Sequence, residues 1–253
     1  MTIRIALGLE YDGSSFLGWQ TQPGGGTVQD AVEQALAAIA GAPVSVTCAG
    51  RTDRGVHARG QVVHFDTDVS RPAAAWVRGT NALLPDSVAV LWSGAVAEDF
   101  HARYSALSRT YRYRLVNRAV RPAIAARYAG WFHAPLDVQS MREAAAVLVG
   151  ERDFSAFRSA ACQARSPVRT IHALQILQDG EKIEFVVRAN AFLHHMVRNI
   201  VGTLVYAGRD RRPAQWVKEI LESRDRSRAA PTFAPQGLTL EAVEYDGKWN
   251  LPV

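Results

Sequence analysis

The order in which two hydrophobic periods alternate along this chain restricts its fold more than composition does. Ile3, Ile5, Leu7 and Leu9 alternate with Arg4, Ala6, Gly8 and Glu10, a period of two that predicts a half-buried strand. Val28, Ala31, Val32, Ala35, Leu36 and Ile39 then recur at helical spacing. Thr27 with Asp30 three residues on resembles a capping box in front of that helix, and Gly41 stops it. Val44, Val46 and Thr47 predict a strand over 44–49, and 61–67 returns as another. Ser70 and Pro72 open a second helix that ends at Leu84-Pro85, and 87–96 is a strand again. Strand, helix, strand, strand, helix, strand is a ferredoxin-like split unit.

The order then recurs. Strands near 110–117 and 127–133 lead to a helix capped by Asp137. A strand at 168–178 makes a hairpin with 181–189 through Asp179-Gly180, a pair suited to a type I′ turn. A helix from about 191 to 207 stops at Gly208, a short one begins at Pro213, and a strand occupies 238–245. The predicted class is α+β: two ferredoxin-like halves in one mostly antiparallel sheet, leaving a central basic cleft. The boundary falls near residue 105. The half 1–105 carries a charged loop at 48–58, and 106–253 carries two further motifs.

Chemistry concentrates in three stretches. In Cys48-Ala-Gly-Arg-Thr-Asp-Arg-Gly-Val-His-Ala58 a strand runs out into a loop freed by Gly50 and Gly55. Its single carboxylate, Asp53, sits between Arg51 and Arg54, with His57 close behind. Flanking positive charge favours the charged form of a carboxylate, which serves as nucleophile or general base. The guanidinium groups also match phosphate geometry. A plain Asp-x-Gly turn with solvated arginines fits the same spacing. In Ser108-Arg-Thr-Tyr-Arg-Tyr-Arg114, Tyr111 and Tyr113 share one strand face and Arg112 and Arg114 the other. Aromatics beside arginines suit an extruded base, although a tyrosine pair also suits a core.

The third stretch is Asn190-Ala-Phe-Leu-His-His-Met-Val-Arg-Asn-Ile-Val-Gly202. Leu193, Val197, Ile200, Val201 and Leu204 form an apolar helix stripe, and Arg198 lies off most of it. Arg198 therefore either snorkels to solvent or meets an anion. Adjacent His194 and His195 would project about 100° apart on that helix and do not form an i, i+4 metal pair. No metal is expected. Gly24-Gly-Gly26 lacks the Lys-Ser/Thr that would follow in a phosphate-binding loop.

Composition narrows the partners. The net charge of +5 is carried largely by arginine, which favours phosphate contact, although coding bias produces the same excess. Cys48 and Cys162 make no C-x-x-C pair and no disulfide framework, which fits a reducing cytoplasm. No apolar run reaches the roughly 18 residues of a membrane helix, and the N-terminus alternates like a strand. A cytoplasmic protein without a membrane partner is expected.

Gly50-Arg-Thr-Asp-Arg-Gly-Val-His-Ala58 is similar to the signature of the tRNA pseudouridine synthase A family. Arg54 stands where the commoner pattern has Ala. Arg109-Thr-Tyr-Arg-Tyr113, the Phe192-to-Asn199 segment and Tyr11-Asp-Gly13…Phe16-x-Gly-Trp-Gln20 match further family motifs. Weaker matches are Phe154-Ser-Ala-Phe157, Ser166-to-Ile171 and Ala230-Pro…Gly237-Leu-Thr-Leu240, the last with Thr239 where Tyr is usual.

The resemblance implies that Asp53 is the nucleophile and that Tyr111 lies against the target uracil as a proton acceptor. It implies that Arg198 pairs with the catalytic carboxylate, and that Arg51 fills the space of the extruded base. Arg54 and His57 join Arg51 and Tyr111 as substrate-binding candidates. The implied reaction turns uridine into pseudouridine at positions 38, 39 and 40 of the tRNA anticodon stem-loop. It needs no cofactor, and the enzyme acts as a homodimer bridged by one tRNA. A covalent route and a glycal route both remain open. Two rival readings are weaker. An RRM-type RNA-binding module would show an aromatic pattern that is missing here, and a carboxylate-dependent hydrolase would want a second acid or base fixed near Asp53.

Overall fold

In the computed structural model, which describes residues 2–252, the N-terminal alternation becomes β1 (Ile3–Tyr11). It is followed by α1 (Val28–Ala40), β2 (Thr47–Cys48), β3 (His57–Thr67), α2 (Ala73–Asn81) and β4 (Val88–Val96). β1 pairs antiparallel with both β3 and β4, and β2 pairs antiparallel with β3. The resulting order, β4-β1-β3-β2, is that of a ferredoxin-like unit. β1 is not half-buried as its period predicted, because both of its faces are covered. Ala6 packs with Ala49, Val62, Phe100 and Ala102. Gly8 lies under the Trp92 ring, whose Nε1 would stand 2.1 Å from an added Cβ.

Local rules hold well at α1. The Thr27 hydroxyl accepts from the Asp30 amide and the Asp30 carboxylate accepts from the Thr27 amide, the reciprocal capping box. Gly41 ends the helix at φ 71°. The predicted strand over 44–49 shrinks to two residues because the Val46 amide donates to Glu33 Oε1 of α1 at 2.9 Å. The second helix ends early because the Asn81 side chain bonds both the amide and the carbonyl of Val90.

The other unit spans Ser108–Leu238. It contains most of β5 (Ala106–Asn117), then β6 (Gly130–Phe132), α3 (Val138–Ala146), β7 (Gly150–Asp153), β8 (Val168–Asp179), β9 (Lys182–Ala189), α4 (Met196–Asp210) and α5 (Ala214–Ser223). Within it the antiparallel order is β5-β9-β8-β7, with β6 parallel to β5. Asp137 caps α3 as predicted. The β8–β9 hairpin forms, but Asp179 pairs with Lys182 and the turn residues are Gly180 and Glu181. Of these only Gly180 has a positive φ, 55°, so the predicted type I′ turn on Asp179-Gly180 is not the one adopted. β7 is a strand that no apolar alternation announced, and it exists because its backbone pairs with 168–171. β6 keeps only three residues of the strand predicted over 127–133, whose first residue, Arg127, closes a 3-10 turn over 124–127.

α4 starts at Met196 rather than near 191, because His195 takes a left-handed backbone at φ 63° that a helix does not pass through. It runs past Gly208. There the Met141 side chain and the Asp137 carbonyl stand 2.6 and 3.0 Å from where a Cβ would be, so the glycine serves close packing rather than termination. From Thr239 the chain belongs to the first unit. β10 (Leu238–Tyr245) pairs in parallel with β3, Thr239 opposite His57 and Leu240 opposite Ala58. The Tyr245 hydroxyl donates to the Ala102 carbonyl at 2.6 Å.

Candidate active site

Asp53 occupies the first position of a tight turn. The Val56 amide donates to its carbonyl at 3.1 Å, and Gly55 sits at φ 78° in the third position. A positive φ at that position alone is the type II pattern, which is why glycine stands there. Asp53 is half-buried while Arg51 and Arg54 on either side are exposed. Two neighbouring segments hold the loop. The Thr52 carbonyl accepts from the Trp19 amide at 3.0 Å, and the Thr52 hydroxyl bonds the Tyr11 hydroxyl at 2.7 Å. Gly18, at φ 103°, passes close under the turn: an added Cβ would lie 2.9 Å from the Thr52 carbonyl and 3.1 Å from the Arg54 amide. The loop that joins β1 to α1 is therefore the support of the Asp53 turn.

His57 is not in the loop but is the first residue of β3, and it is buried. The Gly13 amide donates to its Nδ1 at 3.1 Å, and Asp12 Oδ1 lies 3.1 Å from the same nitrogen. One nitrogen does not accept from an amide and donate to a carboxylate at once. The Gly13 hydrogen is fixed, and Asp12 already accepts from the Ser14 amide at 2.9 Å, so Nδ1 acts as the acceptor. His57 thereby ties the end of β1 to the start of β3. Burial pushes the Cys48 thiol up to about 12, against a smaller opposing pull from Arg51, so this sulfur is no rival nucleophile at neutral pH.

The second unit carries Tyr111 and Arg198. Along β5 the tyrosines face inward, while Arg112 and Arg114 both reach Glu184 on the half-buried face. The two tyrosines differ in role. Tyr113 is fully buried, donates its hydroxyl to the Ala234 carbonyl at 2.9 Å, and packs edge-on against Phe185 and Phe233. Burial raises its phenol pKa, with the Arg198 cation opposing. Tyr111 keeps 8% exposure and meets Phe192 edge-on, with centroids 5.1 Å apart.

Arg198, in the first turn of α4, does not snorkel freely. Its Nε donates to the Phe233 carbonyl at 2.8 Å, and the Phe233 amide donates to the Arg198 carbonyl at 3.2 Å. His194 and His195 precede the helix, so their rings lie side by side at 3.9 Å instead of projecting apart around it. Arg51, Asp53, Arg54 and His57 are thus gathered in the first unit, and Tyr111 and Arg198 in the second.

The family model described as tRNA pseudouridine synthase matches residues 9–105 and 144–246, which include the Asp53 turn and Arg198. A relative from Burkholderia thailandensis called tRNA pseudouridine synthase A is 58% identical over 250 residues, covering 99% of this chain and 93% of its own. Another of that name from Dechloromonas aromatica is 55% identical, covering 99% and 95%. The chain belongs to the tRNA pseudouridine synthase family.

A solved Cbf5-Nop10-Gar1 complex shows a distant likeness, with 14% identity and a TM-score of 0.38, over 93% of this chain and 48% of that one. This chain spans about half the length of that neighbour.

In this member of the tRNA pseudouridine synthase family, two buried amides that sequence reasoning passed over organise the residues it did find. Gln61 on β3 donates from Nε2 to the Gly50 carbonyl at 2.7 Å and accepts from the Gly50 amide at 3.4 Å, clamping the start of the Asp53 loop. Asn199, beside Arg198, donates to the Phe157 carbonyl at 2.7 Å. Its Oδ1 accepts from the Thr232 hydroxyl at 2.7 Å and from Arg226 Nη2 at 3.1 Å. That network fixes 226–233, and with it the Phe233 carbonyl on which Arg198 rests. The Phe154-Ser-Ala-Phe157 match thus ends in a carbonyl that anchors α4. The only advance signal for Asn199 was its place beside Arg198 in the matched segment, and Gln61 had none.

Proposed function

We propose that this chain isomerises uridine to pseudouridine in tRNA, at positions 38, 39 and 40 of the anticodon stem-loop, with Asp53 as nucleophile. The observation that carries the reading is the Asp53 turn. The one carboxylate of 48–58 is displayed on a loop clamped through Gly50, Thr52 and Gly18, in a member of the tRNA pseudouridine synthase family. The reaction breaks N1–C1′, turns the uracil and joins C5 to C1′, after which C5 gives up its proton and N1 takes one up. No electrons or groups are exchanged with another molecule, so no cofactor is required. Asp53 either adds to C1′ or removes the C2′ proton to give a glycal, and both routes need an anion on that side of the sugar.

The uridine must leave its stack at a cost of a few kcal/mol. Arg51, exposed beside Asp53, is assigned to the vacated space, and Arg54 to the phosphates around it. Tyr111 and Arg198 are the second unit's contribution: Tyr111 against the uracil as proton acceptor, Arg198 as partner of the catalytic carboxylate. His57, engaged by Gly13, acts on substrate by fixing the turn. A homodimer working in the cytoplasm completes the reading.

The test is incubation of the protein with an unmodified tRNA transcript, followed by chemical mapping of pseudouridine. The expected result is modification at positions 38, 39 and 40, abolished in Asp53→Asn while tRNA binding survives. Pseudouridine formed at the parent rate by Asp53→Asn would overturn the nucleophile assignment.

A further inference from the structure

Tyr104 is 76% exposed, yet its ring is held in place. It lies on the His101 imidazole with centroids 4.2 Å apart and planes 30° from parallel. His101 in turn meets His64 at 4.9 Å, and buried His64 meets buried Phe100 at 6.1 Å, so a column of rings runs from the core to the surface. The backbone beneath is closed on itself. His101 Nδ1 accepts from the Arg103 and Tyr104 amides, both at 3.2 Å. The His101 amide donates to Ser105 Oγ at 3.0 Å, and the Ser105 amide returns to the His101 carbonyl at 2.8 Å. His64 Nδ1 accepts from the Ala102 amide at 3.1 Å, which pins the turn to β3.

A large ring held open-faced is preorganised to receive another flat group, since less rotamer freedom is lost on binding. The chemistry around it selects which group. The Arg103 guanidinium lies over the Tyr104 ring, 5.7 Å from its centroid. Arg103 and Arg51 both bear electrostatically on Cys48, which lies at the mouth of the Asp53 loop. Cation beside exposed aromatic is the pairing that binds single-stranded nucleic acid: the base stacks and the phosphate meets the guanidinium.

We propose that the Arg103–Tyr104 corner is a second contact for the RNA, in which an unpaired base other than the target uridine stacks on Tyr104 and its phosphate meets Arg103. The proposal rests on tRNA being the substrate. Because every base offers a π face, the contact positions the loop without reading its sequence.

The experiment measures binding of an unmodified tRNA transcript in an Asp53→Asn background, so that turnover does not intervene. Tyr104→Ala and Tyr104→Leu are expected to weaken binding about 5- to 150-fold, the range of one lost base–aromatic stack. Tyr104→Phe, which keeps the ring, should bind within about two-fold of its parent. Arg103→Gln should lower the slope of log affinity against log salt by about one. In the active protein the loss should fall on KM more than on kcat. The exposed position predicts unchanged thermal melts for these variants, which separates a lost contact from misfolding. Parent-like affinity in Tyr104→Ala, or equal affinity in Tyr104→Leu and Tyr104→Phe, would overturn the stacking role. If the protein binds tRNA but forms no pseudouridine, the proposed reaction fails while this comparison still decides the platform.

Discussion

Gln61→Met isolates the clamp on the Asp53 loop. Gln61 is fully buried on β3, and methionine nearly matches its length and volume, so cavity and overpacking costs are small. What is lost is the 2.7 Å bond from Nε2 to the Gly50 carbonyl. The contacts to the Gly50 amide and the Tyr11 hydroxyl, both at 3.4 Å, are at the limit of hydrogen-bond range and contribute little. A carbonyl left without its partner costs about 1–3 kcal/mol, so the variant should lose about 2 kcal/mol. In a chain of this size that lowers Tm by about 4–8 °C.

The kinetic effect follows from position. Gly50 precedes Asp53 by three residues, and a displacement of about 1 Å at a reacting group costs on the order of 100-fold in rate. We expect kcat to fall about 10- to 100-fold with KM nearly constant, because Gln61 is buried beneath the loop and does not touch RNA. Release of tritium from C5-labelled uridine in tRNA reads the rate, and thermal denaturation reads the stability. A variant that keeps both the parent kcat and the parent Tm would refute the clamp and return Gln61 to ordinary core packing.

Asn199→Ala should destabilise the second unit by about 3 kcal/mol, because it strands the Phe157 carbonyl and removes a neutral and a charge-assisted bond from 226–233. Urea titration checks this, and a loss below about 1 kcal/mol would count against the network. His64 is held down at about 4 by burial, then by Arg4 and His101, against 6.5 when exposed. Between those two values the unfolded chain binds more protons, so stability rises with pH. The His64 contribution is complete above pH 6.5 and is lost as pH falls toward 4, about 3 kcal/mol in all. Denaturation at pH 7 and pH 4.5 should show the loss, and His64→Asn, which keeps an acceptor for the Ala102 amide, should flatten it.

Much of the chain was legible from spacing alone, because some structure depends only on neighbours. Thr27 and Asp30 cap α1, Gly41 stops it, Asp137 caps α3, and Gly180 turns the β8–β9 hairpin, each through a bond or backbone angle within a few residues. The order of strands and helices apart from β7, and the pair of arginines around one carboxylate, were likewise readable, as was the alternation of tyrosine and arginine on β5. Where the sequence reading failed, a distant group had intervened. Glu33 takes the Val46 amide and shortens β2, and Asn81 ends α2 on Val90.

The same division separates the charged residues of the site from what holds them. Asp53, Tyr111 and Arg198 announce themselves by residue type, since a lone carboxylate among arginines or a cation on an apolar helix is conspicuous in one dimension. Gln61 and Asn199 do not, because an amide acquires its role only when folding brings a particular carbonyl within reach: Gly50 at 11 residues' remove, Phe157 at 42. The sequence alone settled which side chains carry charge and, β7 apart, which elements form. Tertiary structure decided where those elements end and what holds the charges in place, because a buried hydrogen bond is set by distance in space and leaves no period along the chain.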